Sequence, residues 1–141
     1  MSKKIILNKC FGGFDVSEEA YRLYAKKKGL ELYKYTHCDY NVNKLRYATE
    51  NENIMVYYYT KDFGNNVKIS DEDNKKYFLY LNNRYREDEI LIEVVEELGE
   101  KASGRFGNLQ IVEIPDNVFY QINEYDGLET IRYSENEIFE I

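Results

Sequence analysis

The segment that most constrains the fold is Phe11-Gly12-Gly13-Phe14, which directly follows a short apolar run ending at Asn8. Glycine permits positive φ and lets another backbone or a ligand approach closely, whereas phenylalanine offers flat apolar faces. The pattern predicts a strand, a tight turn and a helix. A turn of this kind suits the binding of a planar ring better than it suits catalysis. A tight turn with two core phenylalanines explains the same residues and stays an open alternative.

Length and charge favour one globular domain over residues 1–141, because a chain of this length can bury a proper core. We expect no transmembrane segment and no signal peptide, since the apolar runs are too short for either, and therefore a cytoplasmic location. The net charge of −7 disfavours nonspecific binding to DNA or membranes. Residues 86–141 hold 4 Lys and Arg against 15 Asp and Glu, so a cation in that stretch stands out.

Hydrophobic periodicity predicts two main helices, at residues 17–28 and 88–102, and strands at 5–8, 30–36, 109–114, 118–123 and 128–133. Residues 39–85 hold nine asparagines between Asn41 and Asn83 and the run Tyr57-Tyr58-Tyr59, which indicates a strand-rich insertion in the middle of the chain. We therefore expect an α/β fold with a mixed β-sheet. Gly99 costs ~1 kcal/mol relative to alanine inside the second helix, and close packing against another backbone would explain it.

The sequence offers little for catalysis or metal binding. It has one histidine and two cysteines, and it lacks the spacing of a nucleophilic triad, a Walker A loop or a zincin helix. Cys10, His37 and Cys38 supply only three ligands, whereas a closed zinc site usually takes four in clearer spacing. We expect no catalytic residue, no metal and no cofactor, and therefore no enzyme.

The residue types that remain suit a small anionic ligand with a ring. Arginine binds phosphate through a planar fork and stacks on rings, and Arg105-Phe106 joins both properties. Each arginine also has acidic neighbours in sequence, so simple charge balance stays an alternative. The candidate ligand-binding residues are Lys9, Cys10, Phe11, Gly12, Gly13, Phe14, Asn83, Arg84, Arg86, Arg105 and Phe106. We expect the aromatic and glycine residues to contact a base or ribose and the arginines to contact a diphosphate, with Lys9 and Asn83 as weaker candidates.

Three segments together resemble the phage-encoded Thoeris anti-defence proteins of the first type. They are Asn8-Lys9-Cys10-Phe11-Gly12-Gly13-Phe14 with Ser17, the segment from Val94 to Gly104, and Val112-Glu113-Ile114-Pro115-Asp116 followed by Tyr125-Asp126-Gly127-Leu128-Glu129. Arg86 followed by Asp88 resembles the arginine before the family's second helix, and Glu89 stands where the family pattern has a proline.

The resemblance implies a decoy that binds the cyclic ADP-ribose isomer made by bacterial TIR-domain enzymes and holds it without cleaving it. The defence effector is then never switched on. It also implies a homodimer or higher homo-oligomer in the cytoplasm of the infected bacterial host, with ligand pockets between subunits. For some members it implies binding of cyclic oligonucleotides as well.

Two other functions stay open. The acidic second half predicts, as one alternative, a module that blocks a basic host protein. The other alternative is a hydrolase acting on the same nucleotide. Identifying what the purified protein releases on heat denaturation separates these hypotheses: intact nucleotide, cleaved nucleotide or none.

Overall fold

The computed structural model describes residues 2–38, 41–134 and 138–140, with side chains described outside 41–43 and 138–140. The chain divides into two compact units, one formed by residues 1–28 with 81–141 and the other by residues 29–80. No helix in the described ranges is long and apolar enough to cross a membrane.

The first unit contains both main helices and two of the sheets. Its elements are β1 (Ser2–Asn8), α1 (Glu18–Lys28), α3 (Glu89–Leu98), β6 (Leu109–Pro115), β7 (Phe119–Tyr125), β8 (Leu128–Ser134) and β9 (Ile138–Glu140). Strands β1 and β6 pair antiparallel from Ser2–Pro115 to Asn8–Leu109. Strands β7, β8 and β9 form a separate antiparallel sheet in that order. Asp126 and Gly127, both with positive φ, form the tight turn between β7 and β8, as is typical of an Asp-Gly pair in a hairpin.

The core of the first unit follows from alternation along β1, whose successive side chains point to opposite faces. Ile5 and Leu7 pack with Ile114 of β6 and Ile131 of β8. Ile6, between them, is equally buried and points to the opposite face. Helices α1 and α3 pack against each other, and α3 also packs against β1 and β6. Strand β1 therefore has both faces covered, which explains its uninterrupted apolar run.

The second unit is built around aromatic side chains. Its elements are β2 (Tyr33–Cys38), β3 (Asn41–Tyr47), β4 (Val56–Tyr59), α2 (Asp71–Tyr77) and β5 (Phe78–Leu79). Its four strands form one sheet in the order β3-β2-β4-β5, in which each neighbouring pair is antiparallel. Tyr35, Leu45 and Tyr59 are its buried centre. The tyrosine run therefore belongs to a core strand.

The predicted α/β class with two main helices and a strand-rich middle is confirmed, and the strands are distributed over three sheets of two, four and three strands. The single-domain assignment stays a prediction. Strand β2 begins at Tyr33, three residues later than predicted, and the sequence did not predict helix α2 or strand β3.

The explanation predicted for Gly99 is wrong. A Cβ at this glycine would meet open space, whereas its φ is +58°. Gly99 ends α3, and a 3₁₀ turn at residues 99–102 replaces the predicted last turn. Its φ of +58° with ψ of −126° is a conformation that glycine adopts without steric cost and other residues avoid, and this explains the residue.

Candidate functional site

The glycine pair lies where three loops of the first unit meet. Its amides are both used internally: Gly12 N donates to Asp126 O at 3.0 Å, and Gly13 N donates to Phe106 O at 3.1 Å. A Cβ at Gly12 would overlap the Phe106 carbonyl oxygen, and a Cβ at Gly127 would overlap Gly12 O. Close backbone approach therefore explains Gly12, as the sequence predicts. What approaches it is the protein's own loops at residues 104–107 and 125–127.

Asp15 fixes the loop at residues 104–107 to the start of α1. Its carboxylate accepts from Phe106 N at 3.1 Å, and its carbonyl accepts from Gly104 N at 2.8 Å. Ser17 caps α1, since its Oγ accepts from Ala20 N at 3.1 Å. Asp15 is thereby left to hold the Phe106 loop in place.

The loops leave four large side chains turned outward, which we call the aromatic surface: Phe11, Arg105, Phe106 and Tyr125. Phe11 is 68% exposed, Phe106 is 66% exposed and Tyr125 is 72% exposed. Phe11 and Tyr125 meet edge to face with centroids 6.3 Å apart. The Arg105 guanidinium lies 5.5 Å from the centroid of the Phe106 ring. Exposed rings grouped in this way are typical of a binding surface.

Arg105 is the cation of this surface. In the described part of the chain its side chain has no hydrogen-bond or ion-pair partner, and its one contact of note is the Phe106 ring. A guanidinium has five N–H donors in a planar fork. Arg105 therefore keeps its full capacity to bind an anion next to a ring face.

Arg86 lies in a different environment, inside the unit. Its Nη2 donates to Glu129 Oε2 at 2.8 Å, and its Nη1 donates to Glu129 Oε1 at 3.2 Å and to Ile6 O at 3.1 Å. Its Nε donates to Asn83 O at 3.1 Å. The side chains of Arg86 and Glu129 are 11% and 6% exposed. The role predicted for Arg86 as a diphosphate ligand stays a prediction, and all three of its nitrogens already have protein acceptors.

Phe14, Lys9 and Cys10 are half buried, and each contacts other parts of the first unit. The Phe14 ring lies 5.7 Å from the Arg86 guanidinium carbon. Lys9 Nζ donates to the backbone oxygen of Glu129 at 3.0 Å. The Cys10 thiol, half buried and free of any disulfide, lies 3.4 Å from Phe106 O. Among the described residues, no three His, Cys, Asp or Glu side chains are grouped to hold a metal ion.

Asn83 and Arg84 form a short 3₁₀ turn ahead of α3. Asn82 caps this turn, its Oδ1 accepting from Arg84 N at 3.0 Å. The side chains of Asn83 and Arg84 are exposed. Asn83 contributes its backbone carbonyl to Arg86, and the Arg84 side chain has no ion-pair partner in the described residues.

The structure adds Tyr125 to the residues that the sequence predicts. In sequence it is the last residue of an alternating strand, directly before the Asp126-Gly127 turn. The sequence signal for it is the Asp-Gly pair, which marks a tight hairpin turn. The contact of that turn with Gly12 depends on two loops more than one hundred residues apart.

A separate groove of about 830 Å³ runs along β1 and α3. It is lined by Lys3, Lys4, Glu87, Glu93 and Glu96, among other described residues, and by none of the eleven predicted site residues. Lys3 lowers the pKa of Glu87 below its ordinary value. Burial, and then the hydrogen bond to Glu87, raise the pKa of Tyr120 to about 12. Excess carboxylates would repel a diphosphate, so the aromatic surface is the better candidate for an anionic ligand.

Comparison with known protein families, with curated proteins and with solved structures found no match.

Proposed function

We propose that this protein binds a cyclic ADP-ribose-type nucleotide at the aromatic surface and holds it without cleaving it. The observation that carries the proposal is the Arg105 guanidinium, which lies over the exposed Phe106 ring and has no acidic partner in the described residues. A nucleotide of this type has a planar base and a negatively charged diphosphate. The surface offers a ring face for the first and a planar cationic fork for the second.

The division of roles follows from which side chains are turned outward. We assign the base to the exposed rings of Phe11, Phe106 and Tyr125, and the diphosphate to Arg105, with Arg84 as the second candidate. Arg86 holds the strand that leads into the Gly12 turn through its contacts with Ile6 and Glu129. In this proposal Arg86 acts by positioning the loop, and its direct contact with phosphate is the weaker hypothesis.

Magnitudes favour a second copy of the chain at this surface. Stacking contributes about 1–3 kcal/mol per base, whereas a nanomolar dissociation constant corresponds to about −12 kcal/mol. One base on an open surface falls well short of that. Covering the ligand with the rings of a neighbouring copy would add stacking faces and exclude water from the charged hydrogen bonds. We therefore propose a homo-oligomer with the nucleotide enclosed between copies.

Tight binding without chemistry would act by mass action. A protein that holds a TIR-derived immune signal below the threshold of its effector prevents activation of that effector. Affinity and slow release serve this purpose, and stabilisation of a transition state is not required. The biological role that we propose is therefore sequestration of the signal during phage infection.

The test is titration calorimetry of the purified protein with a cyclic ADP-ribose isomer, followed by heat denaturation and chromatography of what is released. We expect tight binding, release of intact nucleotide, and at least tenfold weaker binding by the Arg105→Ala variant. Arg22→Ala is the matched control, because Arg22 is also an exposed arginine but pairs with Glu18 on α1.

Three outcomes contradict the proposal. Cleaved nucleotide would indicate a hydrolase. Capture of one host protein, together with no bound nucleotide, would indicate an interaction module. Unchanged affinity in Arg105→Ala would remove the aromatic surface as the site.

A further inference from the structure

The second unit contains its own cavity, of about 540 Å³, on one face of the four-stranded sheet. The residues that shape it are His37, Leu45, Tyr57, Tyr59, Asn74 and Phe78. Strand register explains the grouping: His37 pairs with Leu45, and Tyr59 pairs with Phe78. Tyr57 lies opposite Tyr35, two residues before His37, and so shares its face of the sheet. The segment at residues 67–74 covers this face.

The sheet side of the cavity is a continuous aromatic wall. The rings of His37 and Tyr57 have centroids 4.8 Å apart, those of Tyr57 and Phe78 6.2 Å, and those of Tyr59 and Phe78 5.3 Å. The rings of these pairs are tilted by 56°, 54° and 39°, so they form a broad, uneven surface and not a cage around a point. A flat ligand can stack on one of these rings and contact the next at an angle, and it covers such a surface better than a compact cation does.

Two polar groups at the cavity have no hydrogen-bond partner among the described residues. The Nδ1 atom of His37 is closed off from solvent and has no hydrogen-bond partner in the described residues. Asn74 Oδ1 accepts from the Tyr59 hydroxyl at 2.6 Å, which orients the side chain, and its amide nitrogen has no partner among those residues. Buried polar groups in proteins are normally hydrogen-bonded, so this imidazole nitrogen has an unmet hydrogen bond that a molecule in the cavity could satisfy once the ring turns. Lys68 and Asp71 add opposite charges at the exposed rim.

We propose that this cavity binds a planar, bicyclic heteroaromatic small molecule of purine size. Its ring lies against the wall formed by Tyr57 and Phe78, and its polar edge hydrogen-bonds to His37 and Asn74. The volume lies within the range of about 300–1,000 Å³ that small-molecule sites occupy. Since Nδ1 is closed off from solvent, binding includes a turn of the imidazole about its Cβ–Cγ bond, a torsion with broad, two-fold preferences. This site lies wholly in the second unit and does not depend on the proposed function of the first.

The test uses the only histidine of the chain. A ¹⁵N-edited NMR titration of the imidazole with adenine, and separately with hypoxanthine, reports directly on His37 without ambiguity of assignment. We expect a saturable shift of the imidazole nitrogens with at least one purine. The affinity, followed at backbone amides of β4, should fall at least tenfold in His37→Phe, which keeps a ring and removes both nitrogens.

A second variant guards against misfolding. Asn74→Asp keeps an oxygen for the Tyr59 hydroxyl and removes the amide donor, so it should weaken binding while the amide spectrum of the unit is preserved. The matched controls are Tyr47→Phe, which removes a hydroxyl of the same unit outside the cavity, and Arg105→Ala, which alters only the aromatic surface. Both controls should bind as the unaltered chain does. The proposal would be overturned if no saturable shift appeared at 10 mM purine. It would also be overturned if His37→Phe and Asn74→Asp both bound the purine as tightly as the unaltered chain does.

Discussion

Removal of the Glu129 carboxylate is expected to destabilise the first unit more than any other single charge deletion in it. Glu129 is 6% exposed in its side chain and holds the 11% exposed Arg86 through two hydrogen bonds. Its Oε1 also accepts from Asn8 N at 2.9 Å. Glu129→Ala therefore leaves the buried Arg86 guanidinium without its carboxylate and the buried Asn8 N–H without its acceptor. Breaking one side of a buried ion pair costs about 3–5 kcal/mol.

The size of the effect can be divided by further variants. Glu129→Gln keeps one acceptor oxygen and the side-chain volume, so its cost should be lower, about 1.5–3 kcal/mol, the contribution of hydrogen bonds to charged groups. The double variant Arg86→Met with Glu129→Leu removes both charges together. It should be less destabilised than the sum of Arg86→Met and Glu129→Leu, because neither partner is then left buried and unpaired.

The measurement must report on the first unit alone, since two compact units need not unfold together. Native-state hydrogen exchange at the amides of Ile5 and Leu7 does so, because both residues lie in the core of this unit. The Asn8 amide is left out because it donates to Glu129 itself. Arg22→Ala breaks an exposed i,i+4 pair with Glu18 and is the control, expected to change stability by no more than about 0.5 kcal/mol. If Glu129→Ala lowers the exchange free energy by less than about 1 kcal/mol, the reasoning on this buried pair is refuted.

Three further predictions concern single positions. Gly12→Ala should cost about 1–3 kcal/mol by overpacking against the Phe106 carbonyl, whereas Gly13→Ala, with open space around its Cβ, should leave urea unfolding nearly unchanged; equal effects would contradict the loop packing. Gly99→Ala should cost about 1–3 kcal/mol, because φ +58° with ψ −126° is strained for alanine, and an unchanged midpoint would contradict this. The pKa of Tyr120 is raised from 10.0 to about 12, so its neutral form stabilises the fold below pH 10 and that stability is lost as the pH rises towards 12. Glu87→Gln should lower this pKa in an NMR titration only in part, because burial remains; a full return to 10.0 would be inconsistent with burial as the main cause.

The sequence predicts well what is local in this fold. The end of α1 at Lys28 and the apolar run of β1 each depend on residues within a few positions, and both are found. Helix α2 was missed because Asp71–Tyr77 has no apolar period; its stability comes from the Ser70 cap and its acidic first turn. A short polar helix of this kind leaves no periodic signal.

The sequence predicted the residue types of the candidate site, but it did not predict which residues contact one another there. Gly12 was correctly predicted to need close approach, but the approaching atom is Phe106 O, 94 positions later in the chain. Tyr125 was missed because the residues next to it in sequence do not show whether the end of a strand is exposed or half buried. Such contacts are decided by how distant loops meet, and a single sequence carries no direct record of that.

The two arginines on either side of α3 show why this matters for function. Arg86 and Arg105 both stand in an acidic stretch and are equivalent candidates in sequence. In the fold, Arg86 pairs with Glu129 from β8 and is enclosed, whereas among the described residues Arg105 contacts the Phe106 ring and no acidic side chain. A nucleotide would have to displace Glu129 to use Arg86, and displacement would leave a carboxylate buried and unpaired. The two variants should therefore differ in kind: Arg86→Ala should lower stability first and binding only as a consequence, whereas Arg105→Ala should lower binding at unchanged stability. Equal losses of stability in both would mean that Arg105, too, is a structural residue.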